Sequence, residues 1–232
     1  MKPTRWLESV NCAIEGILWT VRTQRHMRYH FLAAVAVLLL ALALRLSALE
    51  FVLLAFAVTL VLFAELFNTA IEVLVDLVSP DYHPLAGRAK DVAAGAVLVA
   101  SIGAAVMGYL AFSHYLPHWF GAQEQIAPPH HSPLAVVAVL VVTMVVVVLK
   151  ALFGRGTPLY GGMPSGHAAV AFSIVTSIAF AQVGILVTLL ATVLATMVSH
   201  SRLMLGIHSL REVVAGAALG MVITLALFLF FA

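Results

Sequence analysis

Residues 167–200 form a run of 34 positions without a single Asp, Glu, Lys or Arg. As one helix the run would be about 51 Å long, against a hydrocarbon core of ~30 Å. It suits neither water nor a single crossing without strong tilt, so it is expected to turn back on itself, and Gln182–Gly184 is where its apolar character lapses. The rest of the chain repeats the theme: 63% of the 232 residues are hydrophobic and 9% charged, with a mean hydropathy of +1.09. Such a composition excludes an ordinary soluble domain and leaves little length for a catalytic domain outside the membrane. Chemistry must therefore sit at helix ends. A net charge of +2 from 12 Lys/Arg and 10 Asp/Glu offers no basic surface for nucleic acid, and Cys12, the single cysteine, cannot form an internal disulfide.

The pattern predicts an all-α integral membrane protein with an N-terminal amphipathic surface helix and seven transmembrane helices. Residues 5–28 mix Trp6, Val10, Ile14, Ile17, Leu18 and Val21 with charges at helical spacing, which suits a helix lying on the membrane. Apolar segments follow at about 31–48, 51–78, 92–113 and 134–149, then the two halves of 167–200, then 209–231. Lys2, Arg5, Arg22, Arg25 and Arg28 precede any apolar run without a signal-peptide pattern, so the N-terminus is expected to be retained and cytoplasmic. With that orientation only Arg45 among the Lys and Arg residues falls outside, and the C-terminus is external. The stretch from His114 to Pro133 contains no Lys or Arg and reads as an external linker between residues 1–113 and 134–232. Its histidines (114, 118, 130, 131) are irregularly spaced among prolines, the pattern of a solvated linker rather than a metal site. Small residues along 93–108 suit close helix packing.

In the second half, Met163-Pro-Ser-Gly-His167 opens a helix, and Ser201-Arg202, five residues, His208, three residues and Glu212 lead into the last span. Upstream, Lys150 ends a span and Arg155, Gly156, Thr157 and Pro158 follow. Two imidazoles, several cations and a Gly-containing turn on one face are what phosphomonoester chemistry requires. Cations and backbone N–H groups neutralise phosphoryl oxygens, one imidazole attacks phosphorus, and the other protonates the leaving alkoxide, with no metal or other cofactor. A carboxylate one turn after His208 can hold its far ring nitrogen and fix the tautomer. The plainer alternative is a helix-starting turn flanked by interfacial histidines.

These motifs resemble the type-2 phosphatidic acid phosphatase family of lipid phosphatases and their haloperoxidase relatives, over about residues 134–231. The resemblance implies a nucleophilic His208 that forms a phosphohistidine, with His167 as general acid and Glu212 in the orienting Asp position. It further implies that Lys150, Arg202, Ser165 and Gly166 bind the phosphoryl group. Two positions depart from the family pattern: Thr157 stands where an Arg precedes the Pro, leaving Arg155 to supply that cation, and Glu212 is one methylene longer than Asp.

In the second span Glu65, Asn68 and Glu72 fall on one helical stripe, followed by Asp76, Tyr82-His83-Pro84 and Arg88-Ala89-Lys90-Asp91. Carboxylates inside a span are costly and usually functional. They can coordinate Mg²⁺ and take a proton from a lipid hydroxyl, and Lys90 can hold ATP phosphates; alternatively they are a polar cluster joining helices. Residues 3–113 resemble the small prokaryotic diacylglycerol kinase and undecaprenol kinase family, whose members are trimers of three-span protomers with an N-terminal surface helix. That resemblance implies Glu65 as general base, Glu72 as metal ligand, Asn68, Lys90 and Asp91 as substrate or nucleotide contacts, and Arg5 as a basic position of the surface helix. The family's second metal-binding Glu corresponds to Gln24, which keeps a carbonyl oxygen but not the charge.

Together these features predict a homotrimeric enzyme of the bacterial inner membrane, three of its spans kinase-like and four phosphatase-like, with both sites cytoplasmic. The expected activity is a membrane lipid phosphate phosphatase, acting on a phosphatidylglycerophosphate, phosphatidate or polyprenyl phosphate. The alternatives are a bifunctional lipid kinase and phosphatase, with Mg²⁺ and ATP needed for the kinase, and a non-enzymatic lipid-binding or transport bundle. Labelling of the Arg155–Gly161 loop from outside intact cells would contradict the cytoplasmic placement.

Overall fold

The structure, a computed structural model, describes residues 6–113, 115, 131–153 and 161–231. Eight helices occur among them, and the chain divides into two compact units, Met1–Trp119 and Phe120–Ala232.

The first unit begins with α1 (Trp6–Thr23), which buries only Thr20 and leaves Trp6, Leu7, Ile14 and Leu18 exposed. Gln24 is extended (φ −101°, ψ 121°) and separates α1 from α2 (Arg25–Ala43). The first span thus starts at Arg25 rather than near residue 31, because the backbone breaks at Gln24 and the charges at 25 and 28 ride on the first turn of α2. Arg45 turns the chain at φ 54°. A capping box follows: Ser47 N–H donates to Glu50 Oε2 (2.9 Å) and Glu50 N–H to Ser47 Oγ (3.4 Å), opening α3 (Ala48–Val78). Tyr115 Oη–H donates to the same carboxylate at 3.0 Å. α4 (Pro84–Ser113) starts at Pro84, eight residues earlier than the apolar pattern alone places it, since proline's missing N–H costs nothing in a first turn. α3 and α4 pack along their length, and Ala41, Leu54 and Ala111 form a core between α2, α3 and α4. Ala93 and Ala100 are buried as the small-residue pattern suggests, whereas Gly95, Gly103 and Gly108 face open space in this chain.

The second unit contains α5 (His131–Phe153), α6 (Gly166–Phe180), α7 (Ile185–Met204) and α8 (Leu210–Phe231), with α6 packed against the other three. The break in the long apolar run falls at the expected place, where Gln182 (φ 52°) and Gly184 (φ 109°) take left-handed conformations. α6 and α8 approach so closely that a Cβ on Gly216 would collide with the Ser165 carbonyl oxygen, and one on Gly220 with that of Ala169. A buried Ser173–Thr224 hydrogen bond (2.7 Å) ties the same pair of helices.

Six of the eight helices are long and apolar enough to cross a membrane. The seventh expected span, α6, has 15 residues, about 22 Å, and falls short of a ~30 Å core. The cause is visible at its N-terminus. Gly166 lies against Val146, seven residues before the end of α5, so α6 starts about 10 Å below that end. The linker expected over 114–133 lies outside the described residues except for Tyr115 and for residues 131–133, which open α5.

Candidate functional site

In the second unit the expected residues converge at one end of the helices. His208 sits in the turn between α7 and α8 with its backbone N–H donating to the Arg202 carbonyl (3.2 Å), as Ile207 N–H does (3.1 Å), so the turn folds back on the arginine. The imidazole is buried, with Nδ1 2.8 Å from Glu212 Oε2. A carboxylate accepts only, so this pairing favours the proton on Nδ1 and leaves the Nε2 lone pair free. Ser209 fixes Glu212 in turn: its N–H donates to Oε2 (3.1 Å) and its hydroxyl accepts from Glu212 N–H (3.4 Å).

The opposite wall is the start of α6. Ser165, its N-cap, donates its N–H to the Glu212 carbonyl (2.9 Å) but makes no side-chain cap, so among the described residues no side chain caps the first amides of α6, a position that suits an anion. Lys150 Nζ donates to the Gly161 carbonyl at 3.0 Å. Lys150, Arg202 and His208 all lie within electrostatic range of His167. Ser165 Oγ, Arg202 Nε and His208 Nε2 are each buried without a hydrogen-bond partner among the described residues. Buried polar atoms are rarely left so, and three donors or nucleophilic atoms around a helix N-terminus suit an oxyanion. Gly166 has Val146 beside it, so a larger residue would narrow the cradle. Arg155, Thr157 and Pro158 lie outside the described residues.

In the first unit one stripe of α3 changes character along its length. Leu54, Ala57 and Val61 are core residues, and the same face continues with Glu65 (4% exposed), Asn68, Thr69 and Glu72. Asn68 Nδ2 donates to Glu72 Oε1 at 3.0 Å, while Asn68 Oδ1 is buried without a partner. No hydrogen bond to the Glu65 carboxylate occurs among the described residues. Lys90 is ion-paired with Asp76 across the α3–α4 turn, a partnership between residues 14 apart that helical periodicity does not reveal. Asp91 is exposed, Gln24 half-buried at the α1–α2 break, and Arg5 outside the described residues.

Among the described residues no three His, Cys, Asp or Glu side chains gather into a metal site. The oxygen donors on the α3 stripe are nevertheless of the kind a hard divalent cation takes: the Glu72 carboxylate and Asn68 Oδ1, which has no partner among the described residues. When bound, such a cation would neutralise nucleotide phosphates.

The first unit thus defines a class: a membrane bundle of α2, α3 and α4 behind an amphipathic α1, with a carboxylate stripe on α3. The profile of the prokaryotic diacylglycerol kinase family matches residues 11–112. Undecaprenol kinase of Bacillus subtilis is 41% identical over 108 residues, covering 47% of this chain and 88% of that protein. Diacylglycerol kinase of Synechocystis sp. is 46% identical over 103 residues (44% of this chain, 59% of that protein), and that of Escherichia coli K12 34% over 113 residues (48% and 93%). Through its first unit the chain belongs to the prokaryotic diacylglycerol kinase family. No solved structure matches the chain significantly.

Proposed function

We propose that the first unit is an ATP-dependent membrane lipid kinase that phosphorylates the hydroxyl of a diacylglycerol or a polyprenol. The observation that carries this reading is the α3 stripe, Glu65, Asn68 and Glu72, inside the span that matches a family of kinases. Family membership puts this activity ahead of the phosphatase, reversing the order of the two readings that the motifs alone suggest. Glu65, buried on this stripe, would accept the proton of the attacking hydroxyl. Glu72, Asn68 and Gln24 would hold Mg²⁺, and Lys90, once released by Asp76, would meet nucleotide phosphates. Asp91 and Arg5 complete the proposed nucleotide contacts, and a homotrimer with a cytoplasmic α3–α4 turn completes the proposed assembly, supported by Arg88 and Lys90 beside that turn. Transfer of labelled phosphate from Mg·ATP to diacylglycerol and undecaprenol in lipid nanodiscs tests it. Glu65→Gln should lower transfer by about a hundredfold or more, and Gln24→Glu should raise it. Absence of transfer with either residue at position 24 overturns the kinase.

A second activity is proposed for the second unit, making the chain bifunctional. The observation that favours it is the buried His208–Glu212 pair with a free Nε2, facing the uncapped start of α6. His208 would attack the phosphorus of a lipid phosphate and His167 would protonate the departing lipid alkoxide. Lys150, Arg202, Ser165 and the Gly166 amide would hold the phosphoryl oxygens, with Arg155 as a further cation. Water then hydrolyses the phosphohistidine. Phosphate release from phosphatidate, phosphatidylglycerophosphate or undecaprenyl phosphate, without ATP or metal, tests it. Release that persists in His208→Ala overturns the assignment.

A further inference from the structure

Five hydroxyl-bearing residues lie along α7, and four of them bond their own helix: Thr188 to Gly184, Thr192 to Thr188, Thr196 to Thr192 and Ser201 to Val198. This back-bonding is the default for a hydroxyl in a helix with no better partner. Ser199 does not follow it. Its Oγ is buried and has no partner among the described residues, although the residue is only 6% exposed.

Ser199 and Ala195 are the two residues that α7 buries, and α7 packs chiefly on α6. Ser199 stands 14 positions after the start of α7 and Gly166 14 before the end of α6, so the antiparallel hairpin brings them to one level. The Ser199 hydroxyl is therefore level with the start of α6, where Ser165 Oγ is also unpartnered. Three residues on, the same helix presents the unpartnered Arg202 Nε. Positions i and i+3 share a helix face, yet these two groups do not bond each other. One anionic oxygen can accept from both.

We propose that Ser199 is a further phosphoryl-binding residue of the second unit. With Arg202 Nε and Ser165 Oγ it donates to the oxygens of a tetrahedral oxyanion seated on the first amides of α6. The inference rests on the phosphatase reading.

Orthovanadate is the probe. Its affinity for the full-length protein in nanodiscs is measured by titration calorimetry, beside kcat and KM for phosphatidate. Ser199→Ala should weaken vanadate binding roughly tenfold and raise KM more than it lowers kcat. Ser199→Thr, which keeps the hydroxyl, should recover most of the affinity. Unchanged vanadate affinity in Ser199→Ala overturns the proposal, as does an equal loss in both variants accompanied by lower thermal stability, the signature of packing. Ser199-dependent vanadate binding by a protein that cleaves no lipid phosphate upholds the site and overturns the hydrolytic reading alone. Failure of the unsubstituted protein to bind vanadate overturns both.

Discussion

In the first unit the charged groups are mostly held by one another: Asn68 donates to Glu72, Lys90 pairs with Asp76, and Ser47, Glu50 and Tyr115 close a cluster at the far end, while Asn68 Oδ1 stays unpartnered among the described residues. In the second, side chains are fixed from behind while their working atoms stay unpartnered: Glu212 holds His208 by Nδ1 and leaves Nε2, and Ser165 is anchored through its backbone and leaves Oγ. The second arrangement is preorganised for a ligand at three atoms, since among the described residues Ser165 Oγ, Arg202 Nε and His208 Nε2 have no hydrogen bond to break. In the first, Lys90 must leave Asp76 before it can serve a nucleotide, so its readiness is bought with a rearrangement.

The contrast predicts that the two activities fail separately. His208→Ala should abolish ATP-independent phosphate release, by at least about a thousandfold, and leave ATP-dependent phosphorylation intact; loss of both in parallel assays would break the separation. Glu212→Gln keeps the shape but removes the charge that orients the imidazole. It should lower release by about a hundredfold or more, with KM little changed. Gly220→Ala forces a methyl group against the Ala169 carbonyl and should destabilise the second unit by about 1–3 kcal/mol, measured as a lower melting temperature with phosphatase activity lost before kinase activity. The smallest effect belongs to Asp76→Asn. Its ion pair with Lys90 is well exposed, so stability should change by less than about 1 kcal/mol, while the KM for ATP should fall if freeing Lys90 is part of nucleotide binding. An unchanged KM would mean that Lys90 does not reach the nucleotide.

Hydrophobic runs disclosed the helices well because a membrane chain has few other options. Gly184 marked the turn in the long run because a left-handed conformation there favours glycine. Boundaries at Arg25 and Pro84 were harder to read, because interfacial turns carry charge while remaining helical. At the second site His208 and Glu212 are visible as a one-turn spacing. Ser199 is not, for in sequence it is one hydroxyl among several on the same helix, and only its failure to back-bond sets it apart. Lys90 was legible as a cation, but its pairing with Asp76 depends on how the α3–α4 hairpin closes.

The close approach of α6 to α8 has one more consequence. Ser165 N–H meets the Glu212 carbonyl, and Gly216 and Gly220 admit no side chain between the two backbones. The spacing between the start of α6 and the segment that carries His208 is therefore set by main-chain atoms, which are the same whatever residues surround them. Side chains on the lipid-facing sides of this unit can drift in size without disturbing that spacing, so tolerance to substitution should be broad on the outside and nearly absent along a single seam.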